Sequence, residues 1–330
     1  MRPIIEVLAD GKAVNGIFYS QLISATIRDE SGQESDTLNL EFDNRDYSVE
    51  PPKKGTTLEP FFGYAETGLA SMGKFEVDTI TSEGGPGGII LSITAHAADM
   101  RKELKEKGSQ SFENTTLGIV LKQSFETAGV AIEVDGNLAS IKVEYEARHD
   151  QSVLDFATRL ADKYNAIFKP GGGRFLFVPR GSQKKLSGGS MSAVNIDISE
   201  CSNWSIETKP RPNYGNVAAK WYDPDKGETM IATHKTDDDG PTRTLKHKAR
   251  NQAEAQEAAK AEAARLNRAR GSGSFTVPGR TDVTAEIDVI ATGFGPIENG
   301  KWRCNAVEHR FDPSGGYTTT IEVEAPETPK

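Results

Sequence analysis

The first 97 residues alternate between apolar and polar positions, as strands with one buried face do. Leu38, Leu40 and Phe42 fall on one side of the segment 37–43, with polar residues between them. We predict a first strand at the N-terminus, turns at 29–33 and 84–88, and further strands over 17–28, 58–64, 74–82 and 89–95. Six short strands joined by turns indicate a small barrel or sandwich.

The pattern changes to a helical period between residues 98 and 180. Apolar residues at helical spacing follow Asn114–Thr116, and Gly129 ends that predicted helix. A second helix begins at Ser152 and Asp155, which form a capping-box-like start. A strand over 130–134 and a hairpin over 166–178 complete a compact α/β module.

A segment rich in Gly, Ser and Lys at 181–192 is the predicted linker, and β character returns over 193–330. We predict strands over 203–208, 216–222, 229–233, 242–248, 274–277, 282–291, 301–311 and 317–323. One helix, 249–269, is inserted among them. The last two strands should be long antiparallel neighbours, with Trp302, Val307 and Ile321 tied to packing or to a subunit contact.

The composition and charge of the chain argue against several classes of protein. Of the 330 residues, 36% are hydrophobic and 26% charged, which is typical of a folded protein rather than a disordered one. The net charge of -9 argues against a dedicated nucleic-acid binder, since phosphate binding needs a basic face. No apolar run is long enough for a membrane helix, and no secretory signal is predicted. Two free thiols, Cys201 and Cys304, are favoured over a disulfide between them.

The sequence contains few candidates for catalytic or metal-binding residues. His96, His149, His234, His247 and His309 have no Cys or second His at zinc-ligand spacing. The acidic segments 223–228 and 237–240 lack the spacing of a calcium loop, so solvated turns are predicted. No nucleophile elbow or phosphate-binding loop is present. The sequence therefore singles out no catalytic, cofactor or metal residue.

Basic residues surround the predicted helix 249–269. Its apolar side is mostly Ala, so a helix lying across a barrel is one interpretation and a docking surface for an acidic partner is the other. The candidate interface residues on and before the helix are Arg243, Lys246, Lys248, Arg250, Arg265 and Arg268. Trp302 and His309, in the penultimate strand, complete the candidate set.

Five segments in order resemble a known family: 27–38, 72–78, 109–120, 149–157 and the closing hairpin 300–324. Together they resemble the phage late control protein D family, the central hub of contractile-tail baseplates. They are also similar to the N-terminal part of type VI secretion spike proteins. No single segment is specific, but their order and spacing are.

The resemblance implies a non-enzymatic, mainly β protein with α+β character. It would carry two tail-tube-like barrel domains, 1–97 and 193–330, and form a homotrimeric pseudo-sixfold ring. Implied partners are the tail tube protein, the spike protein, baseplate wedge proteins and the tape measure protein. DNA would pass through the lumen without specific binding. The implied location is the virion tail baseplate, assembled in the bacterial host cytoplasm, with a separate spike protein needed for puncture.

Two other functions stay open from the residues alone. A tail-associated peptidoglycan hydrolase would need carboxylates that the sequence does not single out among its 48 acidic residues. A tail-tip carbohydrate- or receptor-binding protein would need exposed aromatics such as Trp221 or Trp302, although both lie in predicted strands. An infectious phage, a defective prophage and a tail-like bacteriocin are equally compatible sources.

Overall fold

The computed structural model describes residues 1–32, 35–97, 102–171, 174–182, 191–208, 214–236 and 239–326. Over these residues the protein is mainly β, as predicted, and the strands form four sheets. Most of the linker predicted at 181–192 and part of the turn at 237–240 lie outside the described residues. No helix of the described chain is long and apolar enough to cross a membrane.

The first β-region is built from eight strands. They are β1 (Pro3–Ala9), β2 (Lys12–Ala13), β3 (Leu22–Glu30), β4 (Thr37–Asp43), β5 (Thr57–Tyr64), β6 (Gly68–Ser71), β7 (Phe75–Gly85) and β8 (Gly88–Ala97). The strand predicted from residue 17 is wrong at its start, because Gly16–Gln21 forms a short helix, α1. The Asn15 side chain caps this helix by accepting from the Phe18 N–H at 3.2 Å, and the Phe18 ring packs on Phe42.

The α/β module carries the two helices that the periodicity predicted. Its elements are α2 (Lys102–Lys105), β9 (Gly108–Thr116), α3 (Leu117–Glu126), β10 (Ala131–Val134), α4 (Gly136–Ala139), β11 (Lys142–Gln151), α5 (Val153–Lys163), β12 (Ala166–Gly171) and β13 (Arg174–Pro179). Ser152 caps α5 by accepting from the Asp155 N–H at 3.0 Å. The apolar side of α5 is buried against α3 and the hairpin, in a core that includes Phe125 and Phe156.

The C-terminal β-region follows the predicted order of elements. These are β14 (Val194–Asp197), β15 (Asn203–Thr208), β16 (Asn216–Asp223), β17 (Glu228–Lys235), β18 (Thr242–Thr244), α6 (Gln252–Arg268), β19 (Gly271–Pro278), β20 (Asp288–Thr292), β21 (Gly300–Asp312) and β22 (Gly316–Glu324). β21 and β22 are long antiparallel neighbours, as predicted. Trp302, Val307 and Ile321 lie together in one core cluster.

The two β-regions do not form separate closed barrels, contrary to the sequence-based expectation. β21 pairs antiparallel with β3, so strands from both ends of the chain belong to one 14-stranded sheet. None of the sheets within the described residues closes on itself. The physical reason is that β21 has 13 residues, long enough to pair with β20 at its start and β3 further on.

An eight-stranded antiparallel stretch of this sheet has two chemically different faces. Its order is β15-β19-β22-β21-β3-β4-β8-β7. One row of direct cross-strand partners spans all eight strands and is polar throughout: Asn203, Thr276, Thr320, Glu308, Arg28, Thr37, His96 and Glu76. The opposite face carries the buried apolar residues of both β-regions. We call the first side the polar face.

Candidate functional site

A buried ion cluster lies where β3 pairs with β21. Asp29 interrupts the apolar side of the sheet there, directly opposite Val307. Its carboxylate accepts from the Lys169 ammonium at 2.7 Å and from the Ala285 N–H at 2.7 Å. Lys169 is on β12, so this contact joins the α/β module to both β-regions.

A second contact beside Lys169 makes the same three-way connection. The Arg180 guanidinium donates to the Ser31 hydroxyl at 3.1 Å and lies 3.8 Å from a Glu286 carboxylate oxygen. Ser31 follows β3, Arg180 follows β13, and Glu286 precedes β20. The Ser31 hydroxyl also donates to Glu286. These contacts attach the α/β module to the sheet at the place where β3 pairs with β21.

Burial and electrostatic attraction have opposite effects on the pKa values of the cluster. Burial opposes ionisation of Asp29, but the attraction of Lys169 and the two hydrogen bonds outweigh it and keep the pKa of Asp29 below its usual value. Burial likewise acts to lower the pKa of Lys169, yet Asp29 and Asp36 raise it. Burial and repulsion by Asp29 raise the pKa of Asp36 to about 7. At neutral pH the cluster thus centres on one firmly charged pair, with Asp36 partly protonated.

The structure divides the predicted basic residues into two groups. Arg243 and Arg265 both bind Glu262 on α6, each with a closest N–O distance of 2.7 Å. Arg250 donates to the Tyr145 carbonyl, and its guanidinium stacks over the Tyr145 ring. These three arginines are engaged within the chain.

Arg268 also has internal partners, whereas Lys246 and Lys248 have no ion-pair partner among the described residues. Arg268 donates to the Asn165 side chain at 2.9 Å and lies 3.6 Å from Glu324. Lys246 and Lys248 are exposed in the segment between β18 and α6. Of the six basic candidates, these two present their charge to solvent without a described ion-pair partner.

Trp302 and His309 are core residues, so their position gives no support to the predicted interface role. Trp302 is 6% exposed and its indole N–H donates to the Glu298 carbonyl at 2.7 Å. His309 is 2% exposed and contacts Thr319, Tyr317 and the Val283 carbonyl. Burial lowers the pKa of His309 to about 4, so the ring is neutral near pH 7. The two residues are seven positions apart, and the β-bulge between Cys304 and Ala306 brings both to the buried side of the sheet.

The described residues hold no cluster of three or more His, Cys, Asp or Glu that could bind a metal. The segment 223–228 is the hairpin turn between β16 and β17, where the Asp223 carboxylate accepts from the Asp225 N–H at 3.1 Å. Trp221 is half-buried against the core beneath α6. Cys304 is buried, Cys201 is half-buried, and both are free thiols.

Sequence reasoning missed the ion cluster and the polar face. The signal for the first was an acidic residue, Asp29, at an apolar position of a strand, but it was interpreted as part of a turn. The signal for the second was the alternation of Thr318, Thr320 and Glu322 with buried residues. Neither signal identifies its distant partner, because Lys169 is 140 residues from Asp29, and β3 is at the other end of the chain from β21 and β22.

Comparison with known proteins gives consistent results. Residues 76–314 match the family model of the phage tail baseplate hub (GPD). The chain is 28% identical to the probable baseplate hub protein of Escherichia phage 186, and equally to that of Escherichia phage P2. In both cases the similarity covers 98% of this chain and 93% of the relative.

Solved structures of tail proteins share the fold. The 43 kDa tail protein of prophage MuSo2 from Shewanella oneidensis superposes with a TM-score of 0.71 at 16% identity, over 98% of this chain and 99% of that one. A tail protein from Neisseria meningitidis MC58 gives 0.68 at 12% identity, over 98% and 97%. An Escherichia coli type VI secretion component gives 0.57 at 8% identity, over 100% and 79%.

Proposed function

The chain belongs to the phage tail baseplate hub (GPD) family, and from that premise we propose that it joins the hexameric tail tube to a trimeric spike and lines the DNA channel. The observation that carries this proposal is the eight-stranded sheet with one continuous polar face. The geometry of that sheet supports a closed ring, and the family supports the partners that we propose for it.

The two ends of the eight-stranded stretch are suited to pairing with further copies. Within the described chain, no strand pairs with the outer side of Thr79–Gly85 in β7 or of Trp204–Ile206 in β15. Because eight strands alternate in direction, β7 runs opposite to β15. Copies related by rotation about an axis along the strands therefore meet edge to edge in antiparallel pairing, which favours a closed ring.

The same ring has a channel of suitable width. Three copies supply three times eight strands, and at a spacing of about 4.8 Å they give a backbone circumference of roughly 115 Å. The corresponding diameter is about 37 Å before strand tilt widens it. Side chains on the inner face still leave room for a nucleic-acid duplex. The two β-regions of each copy provide the pseudo-sixfold match to a hexameric tube.

The polar face is the side we assign to the channel. It carries Ser, Thr and Asn side chains, the arginines Arg28, Arg303 and Arg310, and carboxylates that include Glu41, Glu76, Glu308, Glu322 and Glu324. Arg28 is held by Glu322 at 2.7 Å, so its charge is not presented alone. A surface with no lysine in these rows and a surplus of carboxylates repels phosphates, so DNA passes without adhering.

With the polar face turned toward the channel, we assign the other partners of the hub to the outside and the two ends of the ring. The α/β module, residues 98–180, lies outside the ring, within reach of baseplate wedge proteins. The spike and the tube bind the two ends of the ring, and the tape measure protein enters its lumen. Assembly takes place in the bacterial host cytoplasm before the hub joins the virion tail. The chain acts structurally and not as an enzyme.

Ring formation can be tested with two matched substitutions. The wild-type chain should be a trimer in light scattering at micromolar concentration and form rings with tube or spike protein under the electron microscope. Thr81→Lys places a charge on the open edge of β7, and we expect it to abolish the trimer. Thr94→Lys puts the same charge on the polar face of β8, which is paired on both sides, and should leave the trimer intact. A monomeric wild-type chain that forms no rings would refute the proposal.

A further inference from the structure

A small three-stranded sheet, β17-β16-β18, is covered by α6 on one side only. The covered side is a core of alanines with Val217. On the other side Tyr222 is 51% exposed and Ile231 is 59% exposed. Lys220 is exposed too and is the direct cross-strand partner of Ile231. Large apolar side chains that are exposed together, such as Tyr222 and Ile231, are typical of a protein contact surface.

Two more lysines border this sheet. The Leu245 N–H donates to the Ala218 carbonyl at 2.8 Å and the Ala249 N–H donates to the Lys220 carbonyl at 2.7 Å. These hydrogen bonds hold the segment that contains Lys246 and Lys248 alongside β16. We call Lys220, Tyr222, Ile231, Lys246 and Lys248 the outer patch.

The outer patch is locally positive on a chain with a net charge of -9. In the part of the chain that the structure describes, no carboxylate forms an ion pair with its three lysines. Nearby Arg243 and Arg265, by contrast, both form ion pairs with the carboxylate of Glu262. The fold thus uses its arginines internally and leaves the lysines of the patch for an external partner.

We propose that the outer patch binds an acidic protein surface on another tail component, with carboxylates around an apolar contact. The statement that this partner is a tail component rests on the proposed hub function. Three lysines are few for tight phosphate binding, and the exposed Tyr222 and Ile231 gain more from an apolar protein contact than from a phosphate backbone. Charge complementarity of this type sets the partner and its orientation.

Site-specific photo-crosslinking in assembled tails tests this directly. A benzophenone amino acid at Tyr222 should crosslink to a peptide of net negative charge from a different tail protein. The same amino acid at Tyr47, which is 74% exposed on the first β-region, is the control and should not give that adduct. Crosslinks from Tyr222 only to a second copy of this chain, or none, would overturn the proposal.

Charge reversal supplies the second test. We expect K220E/K246E/K248E to reduce the number of complete tails at least about tenfold, because three attractions become repulsions. The matched control K12E/K53E/K107E changes the charge equally at exposed sites elsewhere and should assemble normally. Circular dichroism verifies that both variants fold, and if the first does not, the crosslink from Tyr222 decides.

The outcomes separate the patch from the hub function. Normal assembly by the folded triple variant would overturn the patch and leave the hub function intact. Absence of the wild-type chain from purified tails would overturn the hub function itself. Binding of the wild-type chain, lost in the triple variant, to duplex DNA or to phosphatidylserine vesicles would assign the patch to phosphate chemistry and contradict an acidic protein partner.

Discussion

Replacing Lys169 tests whether the buried ion cluster holds the three parts of the chain together. Lys169→Met keeps the length of the side chain but removes the ammonium that lies 2.7 Å from Asp29 and 3.9 Å from Asp36. The side chains of Lys169 and Asp29 are only 16% and 19% exposed, so water replaces the lost charge poorly. Asp29 would then be a buried carboxylate without its cation.

The magnitude follows from the contacts that remain. Removing one partner of a buried pair typically costs 3–5 kcal/mol. Asp29 retains its hydrogen bond from the Ala285 N–H, at 2.7 Å, which favours the lower end of that range. We therefore expect Lys169→Met to lower the free energy of unfolding by about 3 kcal/mol at pH 7.

Two further variants identify the cause of that loss. Asp29→Asn in the Lys169→Met background removes the uncompensated charge and should recover about 2 kcal/mol, giving a strong coupling in a double-mutant cycle. Asp36→Asn alone should cost less than about 1 kcal/mol, because Asp36, with its pKa of about 7, is already partly protonated.

Urea unfolding followed by near-ultraviolet circular dichroism measures five proteins under one condition: the wild type, Lys169→Met, Asp29→Asn, the combination of these two, and Asp36→Asn. The reasoning would be refuted by a loss below about 1 kcal/mol in Lys169→Met, or by additive effects of the Lys169 and Asp29 substitutions. Either result would mean that packing, and not the ion pair, holds the module on the sheet.

Three other substitutions probe separate parts of the fold. His309 binds a proton near pH 6.5 when unfolded but only near pH 4 when folded, so its own contribution to the free energy of unfolding should fall by about 3 kcal/mol as the pH drops from 6.5 to 4, while Asp36, with its pKa of about 7, contributes in the opposite direction. The difference in stability between the wild type and His309→Gln in urea titrations isolates the His309 contribution, and a difference that does not change with pH would contradict it. Ser152→Ala removes the cap on the Asp155 N–H and should cost about 1 kcal/mol in thermal unfolding, while Ser152→Thr retains most of it. Gly279→Ala places a Cβ 2.0 Å from the Tyr317 ring, so the melting temperature should fall by several degrees, and an unchanged value would show that the ring can move.

Local patterns predicted the three longest helices in the described chain, α3, α5 and α6, but not the short helices α1, α2 and α4. In α5 the apolar residues recur at helical spacing and Ser152 marks the start, so both the element and its buried side follow from neighbouring residues. The same holds for β4, where Leu38, Leu40 and Phe42 are all fully buried. α1 was missed because its six residues are too few to show a period, and the hydrogen bond from Phe18 to Asn15 decides its conformation.

The strand-rich ends, the helices of the central segment and the long closing hairpin could be predicted from the sequence, because each depends on the period of nearby side chains. Two features emerge only in the folded chain: β3 and β21 join the two ends in one open sheet, and Lys169 pairs with Asp29 inside it. The tertiary structure also decided which basic residues are engaged by Glu262 and which stay exposed. Strand pairing and buried ion pairs join residues that are distant along the chain, so no local period encodes them.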